Sequence, residues 1–541
     1  MYRRRGRGKK IAIISVASFF GCLLALYIGV TVFYSSHIFS NTWFGNIELS
    51  GLSALAVEEE LNKLLLDYKL TIHARDNVDE VITSSDVDLR YILDGYGDKL
   101  ISEQNPFAWP VHMYNKENID ATFEVEYDKN KLSSVISSMS IMQKENIVEP
   151  EDAHVSDYIS GTGYEVVKEV MGNKIDNGLF VNAVDKALSE VTDDINLEEL
   201  GCYISPEVYS DNEEIVKKAD YLNSFVKAKI TYTFGDDVIV VDGDMIHNWM
   251  KIKKNGKVKL DEDKIAEFVN GLGSKYDTIF RKRTFKTSYG TEVTIDGGDY
   301  GWWMDRKSEV KELVKLIKKG KVTDREPVYF QKAQAYGAAD YGKTYVEVNL
   351  TAQHLFFYKK GKLVLESDFV SGKETPERKT PVGVYGITYK ERDATLVGED
   401  YETPVSYWMP FNGSVGLHDA IWRHQFGANL YKGGGSHGCV NLPFNVAAKI
   451  YDKVDKGTAV ICYELPGTES TSITNQSDEE IAQFVVDAID RIGTVNKDRK
   501  LILTKFLPRI RQCYNELTYN QKKYVTNLDK LAKAEQEFKK L

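Results

Sequence analysis

The chain has 541 residues, 43% of them hydrophobic and 28% charged, with a formal net charge of −11 at pH 7. That length exceeds a single core and predicts several domains, and the composition excludes a disordered chain. The acidic balance excludes nucleic acid as a partner, because affinity for it comes from neutralising phosphates.

The first ten residues run against that balance, with Arg3, Arg4, Arg5, Arg7, Lys9 and Lys10 and no acidic residue. Ile11 to Tyr34 then carries no charge. A helix of that length crosses a hydrocarbon core of ~30 Å, and basic residues stay on the cytoplasmic side. The expectation is a cytoplasmic basic segment over 1–10 and a transmembrane helix over 11–34, with the bulk of the protein outside the cytoplasm. A cleaved signal peptide is the competing reading. The apolar run is long for one, and no small-x-small site follows it.

Beyond the anchor, Leu55 to Leu66 and Leu179 to Val191 have helical spacing, and Ala121 to Tyr127 alternates like a strand. Strand patterns return at Ala228–Tyr232, Val238–Val241 and Glu292–Ile295, with helices expected at Met245–Met250 and Asp263–Leu272. Both halves of this region follow one loose order of short strands and helices, with too little identity to define a clean repeat. Residues 341–465 read as mostly β: Tyr345–Leu350 and Leu363–Val370 alternate, Ala459–Tyr463 is an apolar strand, and a helix is expected over Pro443–Val454. Gly467 to Ser477 is rich in Ser and Thr and reads as a linker. Ser477 and Glu480 form a capping box, and helical patterns follow at Ile481–Ile492, Leu501–Leu517 and Gln521–Phe538.

Chemistry concentrates near position 440. Gly433-Gly434-Gly435-Ser436-His437-Gly438-Cys439-Val440-Asn441 sets a thiol behind a glycine run, and His418 and His424 lie upstream. Three of the chain's nine histidines therefore fall within twenty-one residues of Cys439. An imidazole that takes the thiol proton, with backbone N–H groups facing a developing oxyanion, makes a nucleophile. The five cysteines (Cys22, Cys202, Cys439, Cys462, Cys513) show neither CxxC pairs nor metal-like spacing, so neither a disulfide scaffold nor a zinc site is expected. A metal set of His418, His437 and Cys439 is possible by count, but no partner carboxylate motif accompanies it. The expectation is no metal and no cofactor.

Two stretches resemble known families. Residues 122–338, through Tyr276-Asp277-Thr278, Thr287-Ser288-Tyr289-Gly290 and Gly297-Gly298-Asp299-Tyr300-Gly301-Trp302, resemble the peptidoglycan-binding domains that precede the catalytic module of many Gram-positive L,D-transpeptidases. One copy is expected within 43–215 and a second within 216–340. Tyr300, Trp302 and Trp303 are candidates to stack on sugar rings or to fill a core. Residues 341–465 resemble the L,D-transpeptidase catalytic domain through Thr380-Pro381-Val382-Gly383-Val384-Tyr385, Tyr407-Trp408-Met409-Pro410-Phe411, His418-Asp419-Ala420-Ile421-Trp422-Arg423 and Ser436-His437-Gly438-Cys439-Val440-Asn441.

The resemblance implies a multidomain α+β protein: an N-terminal transmembrane helix, two α+β wall-binding domains, a mostly-β L,D-transpeptidase domain over 341–465, a linker over 466–476 and a three-helix C-terminal module over 477–541. It implies that Cys439 takes an acyl group from a tetrapeptide stem, releasing D-Ala, and passes it to an amine of a neighbouring stem. His418 is then the general base, oriented by a backbone carbonyl near Asp419 or by Ser436. Gly438 and Cys439 would supply oxyanion N–H groups, and His437 would assist the thiol or support the loop. His424 matches no motif position and reads as a surface residue. Tyr407, Trp408, Trp422, Arg423 and Asn441 are the expected substrate contacts, under a charged flap within Tyr389–Tyr407. The expected partners are stem peptides, glycan and the membrane. The same residues with water as acceptor would make an L,D-carboxypeptidase, and an inert catalytic domain would make a wall-binding scaffold.

Overall fold

The computed structural model describes residues 5–398 and 402–541. Arg3 and Arg4 of the basic segment, and Glu399 and Asp400 of the charged run, lie outside the described residues. Helix α1 (Arg5–Tyr34) is apolar on all sides, with mean hydropathy 2.4 in its best window and none of that window buried. It is long and apolar enough to cross a membrane.

The chain divides into two compact units, one formed by 1–157 and 164–219 and the other by 158–163 and 220–541. In the first, strands β1 (Lys69–Ala74) and β2 (Val78–Thr83) form a hairpin. Helix α2 (Asn177–Glu190) then leads to β3 (Asp194–Asn196), which pairs parallel to β1. The Asp176 carboxylate caps α2, accepting from the N–H groups of Gly178 at 2.9 Å and Leu179 at 3.0 Å. Leu70, Ile72, Ile82, Phe180, Val184 and Leu188 close the core between helix and sheet. The strand expected over Ala121–Tyr127 is only Val125–Glu126, paired with Arg90–Tyr91.

The second unit begins with the same plan. Strands β4 (Lys229–Phe234) and β5 (Asp237–Val241) form a hairpin. Helices α3 (Glu262–Tyr276) and α4 (Arg306–Lys318) pack on it, and β6 (Val322–Arg325) returns parallel to β4. The helix expected at Met245–Met250 is an α-turn, Gly243–Ile246, continued by a 3₁₀ turn, His247–Trp249, with a strand beginning at Met250. Tyr300 and Trp302 are buried in this domain, whereas Trp303 is 43% exposed.

The region from Tyr345 to Tyr463 packs two sheets. The first runs β9 (Lys362–Asp368), β8 (His354–Lys359), β7 (Tyr345–Asn349), β16 (Ala459–Tyr463) and β10 (Gly383–Gly386) in spatial order. The second runs β11 (Glu391–Val397), β12 (Glu402–Asn412), β13 (Val415–Asp419) and β15 (Val440–Leu442). Val348, Phe357, Met409, Leu417 and Leu442 belong to the apolar core they share with helix α5 (Phe444–Lys453).

The Ser/Thr-rich stretch expected to be a linker is sewn into this domain. Its strand β17 (Ile473–Asn475) pairs with β14 (Gln425–Gly427), and buried Gln476 accepts the N–H of Phe444 at 2.8 Å. The C-terminal helices α6 (Asp478–Asp490), α7 (Lys500–Glu516), α8 (Tyr519–Lys522) and α9 (Leu528–Phe538) continue the catalytic core, with Phe444 against Phe484. The third expected helix is thus two, because Thr518 and Gln521 close a capping box on a single turn. Pro508 stays within α7, at an exposed position.

Candidate active site

Strands β13 and β15 run side by side and parallel, which sets Leu417 beside Val440 and His418 beside Asn441. Cys439 sits one residue before β15. Cys439, His418, His437, Ser436, Asn441, Trp422 and Arg423 line one cavity of about 250 Å³, with Leu396 and Thr403 of the β11–β12 hairpin also at its wall. Cys439 and His418 are buried, 8% and 3% exposed.

The loop before Cys439 is held by its own polar groups. The Ser436 hydroxyl donates to the Cys439 carbonyl at 2.6 Å and accepts from the Gly438 N–H at 3.1 Å. The Thr380 hydroxyl donates to the Gly438 carbonyl at 2.7 Å and accepts the N–H of Gly372 at 3.0 Å. Thr380 is a part of the site that sequence reasoning missed. Its stretch, Thr380-Pro381-Val382-Gly383-Val384-Tyr385, carries part of the family resemblance, but no role at the site was read for the threonine itself. Gly438 has φ +119°, and a Cβ there would meet Val415 Cγ2 at 3.0 Å. Only glycine takes that backbone without strain.

Two imidazole nitrogens are sorted by one contact. His418 Nδ1 lies 2.8 Å from the carbonyl oxygen of Asp419, an acceptor, so Nδ1 carries the proton and Nε2 is left with a lone pair. Of the two orienters open at the sequence level, the carbonyl is the one used; the Ser436 hydroxyl serves the loop. The Asp419 carboxylate is fully buried and accepts the N–H groups of Tyr407 at 2.7 Å and Ser406 at 3.2 Å, pinning β12 to β13.

Burial keeps both reacting groups neutral at rest. It pushes the Cys439 thiol up to about 11, against a backbone hydrogen bond from Gly416 that favours the thiolate. It pushes the His418 imidazole down to about 4, opposed by its bond to the Asp419 carbonyl. The Cys439 Sγ lies 3.5 Å from the Ser414 carbonyl oxygen, to which a thiol donates and a thiolate does not. A thiolate is therefore not the resting state of Cys439.

Two expected substrate contacts are corrected. Tyr407 faces away from the cavity, because adjacent residues of a strand point to opposite faces. Its ring packs in the core on Phe444 and Tyr451, under the Arg392 guanidinium. Trp408 lies on the His418 face, with ring centroids 5.8 Å apart, but is only 5% exposed and supports the imidazole from behind. Trp422, 46% exposed, stands at the cavity. Arg423 donates to the Gly434 carbonyl at 2.5 Å, and among the described residues its Nε is buried without a partner, as is Asn441 Oδ1. The Gly438 N–H is already used by Ser436. His437 is exposed at the cavity rim, and His424 is exposed outside it.

The β11–β12 hairpin is braced from outside. Arg509 of α7 donates to the carbonyls of Asp393, Ala394 (2.6 Å) and Val405 (3.3 Å), and Arg491, at the C-cap of α6, pairs with the Asp393 carboxylate at 2.7 Å.

A thiol and a neutral imidazole on one cavity, carried by a two-sheet scaffold, make a cysteine-dependent acyl-transfer enzyme. Family models agree: the L,D-transpeptidase catalytic domain matches residues 343–462, and a family described as "Putative peptidoglycan binding domain" matches 80–196 and 210–325. An L,D-transpeptidase of Enterococcus faecium is 37% identical, with 46% of this chain covering 100% of that one at a TM-score of 0.39. The catalytic domain from the same species, also solved acylated by ertapenem, is 47% identical, over 23% of this chain and 98% of that one, TM-score 0.21. An L,D-transpeptidase from Mycobacterium smegmatis is 21% identical, over 22% of this chain and 58% of that one, TM-score 0.19. No curated protein matches. On the identity and full coverage of the first relative, the chain belongs to the L,D-transpeptidase family. It is a multidomain α+β peptidoglycan L,D-transpeptidase that acts on the cell wall.

Proposed function

We propose that Cys439 is the nucleophile and His418 the general base in a two-step acyl transfer between peptidoglycan stems. The observation that carries this is the bond from His418 Nδ1 to the Asp419 carbonyl, which leaves Nε2 as the basic nitrogen at the cavity that Cys439 lines. With both groups neutral, proton transfer from Sγ to Nε2 accompanies attack on the carbonyl between the third stem residue and D-Ala. The tetrahedral intermediate collapses as the imidazolium gives its proton to the D-Ala nitrogen, and D-Ala leaves a thioester on Cys439. An amine of a neighbouring stem attacks the thioester, His418 takes the amine proton, and the thiol is regenerated.

The Cys439 N–H is the oxyanion donor this loop offers, because the Gly438 N–H is bonded to Ser436 Oγ. Arg423 Nε and Asn441 Oδ1, polar atoms buried at the cavity without partners among the described residues, suit a stem-peptide carboxylate and N–H. Trp303, with Phe330 at 4.9 Å and Phe280 at 6.4 Å between ring centroids, is an exposed aromatic surface suited to glycan.

The bulk of the protein lies outside the cytoplasm, tethered by an uncleaved α1. The basic segment supports this, as does Gln104, whose amide donates to the carbonyls of Tyr34 at 2.9 Å and His37 at 2.5 Å and ties the helix end to the folded domain. A mature protein whose N-terminus begins beyond Tyr34 would sink the tether.

The test of the reaction is incubation of the full-length protein with disaccharide tetrapeptides, read by mass. Cross-linked dimers with loss of D-Ala are expected, and none with Cys439→Ala. Tripeptide monomers alone would make the enzyme a carboxypeptidase. Turnover by folded Cys439→Ala would remove the assignment.

A further inference from the structure

Residues 104–115 stand apart from the chain around them. Gln104-Asn105-Pro106-Phe107-Ala108-Trp109-Pro110-Val111-His112-Met113-Tyr114-Asn115 holds no Asp, Glu, Lys or Arg, in a chain that is 28% charged. Its apolar side chains nonetheless face outward: Phe107 is 63% exposed, Val111 59%, Met113 45% and Tyr114 87%. Contiguous exposed apolar groups of this kind mark a surface that meets something other than water.

What they meet follows from where the segment is held. The Tyr27 hydroxyl of α1 donates to the Phe107 carbonyl at 2.8 Å. The Trp109 ring packs on the rings of both Tyr27 and Tyr34, at 5.8 and 6.4 Å between centroids. Tyr27 lies about 25 Å along α1 from Lys10, at ~1.5 Å rise per residue. The hydrocarbon core is ~30 Å thick. With Lys10 at the cytoplasmic boundary, Tyr27 is near the outer edge of the hydrocarbon, and Phe107 is tied to that depth. Trp and Tyr gather at this level because their rings are apolar and their tips polar.

We propose that residues 106–114 form a foot embedded in the outer leaflet of the bilayer, beside the transmembrane helix. The foot rests on the reading of α1 as a membrane span and adds a second attachment to it. A single helix leaves a domain free to swing. A foot inserted at ~5–10 Å, as interfacial apolar segments are, fixes how the first unit stands on the membrane.

The experiment is nitroxide labelling of full-length protein reconstituted in vesicles of zwitterionic and anionic phospholipid. All variants carry Cys439→Ala so that the reactive thiol is silent. One sample is labelled at native Cys22, which is exposed within α1. The others carry Cys22→Ser with Val111→Cys, Tyr114→Cys or, as a water-facing control, Val238→Cys, a position 58% exposed. Collision with oxygen reports lipid and collision with a water-soluble nickel chelate reports solvent. The expected result is oxygen-dominated collision at Cys22, Val111→Cys and Tyr114→Cys, and nickel-dominated collision at Val238→Cys. If Cys22 reads as lipid while Val111→Cys or Tyr114→Cys matches the control, the foot is wrong and the span stands. If Cys22 itself reads as water, the span has failed and the foot falls with it.

Discussion

His418 is oriented by its own neighbour: its Nδ1 lies 2.8 Å from the carbonyl oxygen of Asp419. The hydrogen bond that holds the imidazole comes from the backbone, with the Trp408 ring packed beside it. The Asp419 carboxylate is left to grip the backbone of β12, so one dipeptide aims the imidazole and locks the strand beside it.

The pH dependence of acylation tests the base. A neutral imidazole is the working form, and burial holds His418 down to about 4. The rate of Cys439 acylation by a carbapenem should stay level from pH 8 to pH 6. It should then fall about tenfold per pH unit below the folded pKa. An acid limb centred near 6.5 would mean that the imidazole is solvated. For stability the signs oppose. The depressed His418 withdraws stability as pH falls from 6.5 towards 4. The raised Asp419, at about 6, adds stability as pH falls from 6 towards 3.8. Asp419→Asn removes the compensation, so its melting temperature should drop more steeply than that of the parent between pH 6.5 and 4.

Gly438→Ala should damage the nucleophile more than the fold. A side chain at φ +119° is strained, and its Cβ meets Val415 Cγ2 at 3.0 Å. The backbone cost is about 1–3 kcal/mol. Small displacements of a reacting atom cost roughly 100-fold in rate, so acylation should fall by at least ~10-fold while circular dichroism stays unchanged. Full activity would mean that the turn is not needed to place Cys439.

Asn441→Ala should separate binding from stability. Among the described residues Asn441 Oδ1 has no partner to lose, so unfolding free energy should move by less than about 1 kcal/mol. If the acceptor serves the donor stem, kcat/KM for the tetrapeptide should drop at least ~10-fold. A large loss of stability with normal kcat/KM would make Asn441 structural.

The brace from α7 predicts an effect from outside the cavity. Arg509 serves three backbone carbonyls of the β11–β12 hairpin, whose Leu396 and Thr403 face the site. Arg509→Ala should cost about 1–3 kcal/mol and raise hydrogen exchange in 391–397 and 402–406, with slower acylation. Arg509→Lys should not rescue, because an ammonium lacks the planar fork that spans several carbonyls. Unchanged exchange in the hairpin would leave α7 without a part in the site.

The local chemistry was readable because it is local. A glycine run, a thiol and nearby histidines lie within one short stretch, and backbone geometry there follows from residue type. The capping box at Ser477 and the strand of Ala459–Tyr463 were legible for the same reason. Tyr407 was misread because a β-strand alternates faces, and only the pairing of Trp408 with His418 shows which face meets the cavity. The linker was misread because Ser and Thr report polarity, while β17 is made by a partner strand nearly fifty residues away. The two wall-binding domains share one order, a hairpin, helix and parallel return strand, and their sequences show it only loosely.

By itself the sequence determined the apolar helix, the succession of strands and helices, and a loop that sets a thiol behind a glycine run with histidines nearby. Tertiary structure decided that the carbonyl of Asp419 rather than Ser436 orients the His418 imidazole, that thiol and imidazole rest neutral, and that C-terminal helices brace the hairpin at the site. Those outcomes depend on burial and on contacts between distant strands. Both arise only when the chain closes its core, and neither can be read from the order of residues along it.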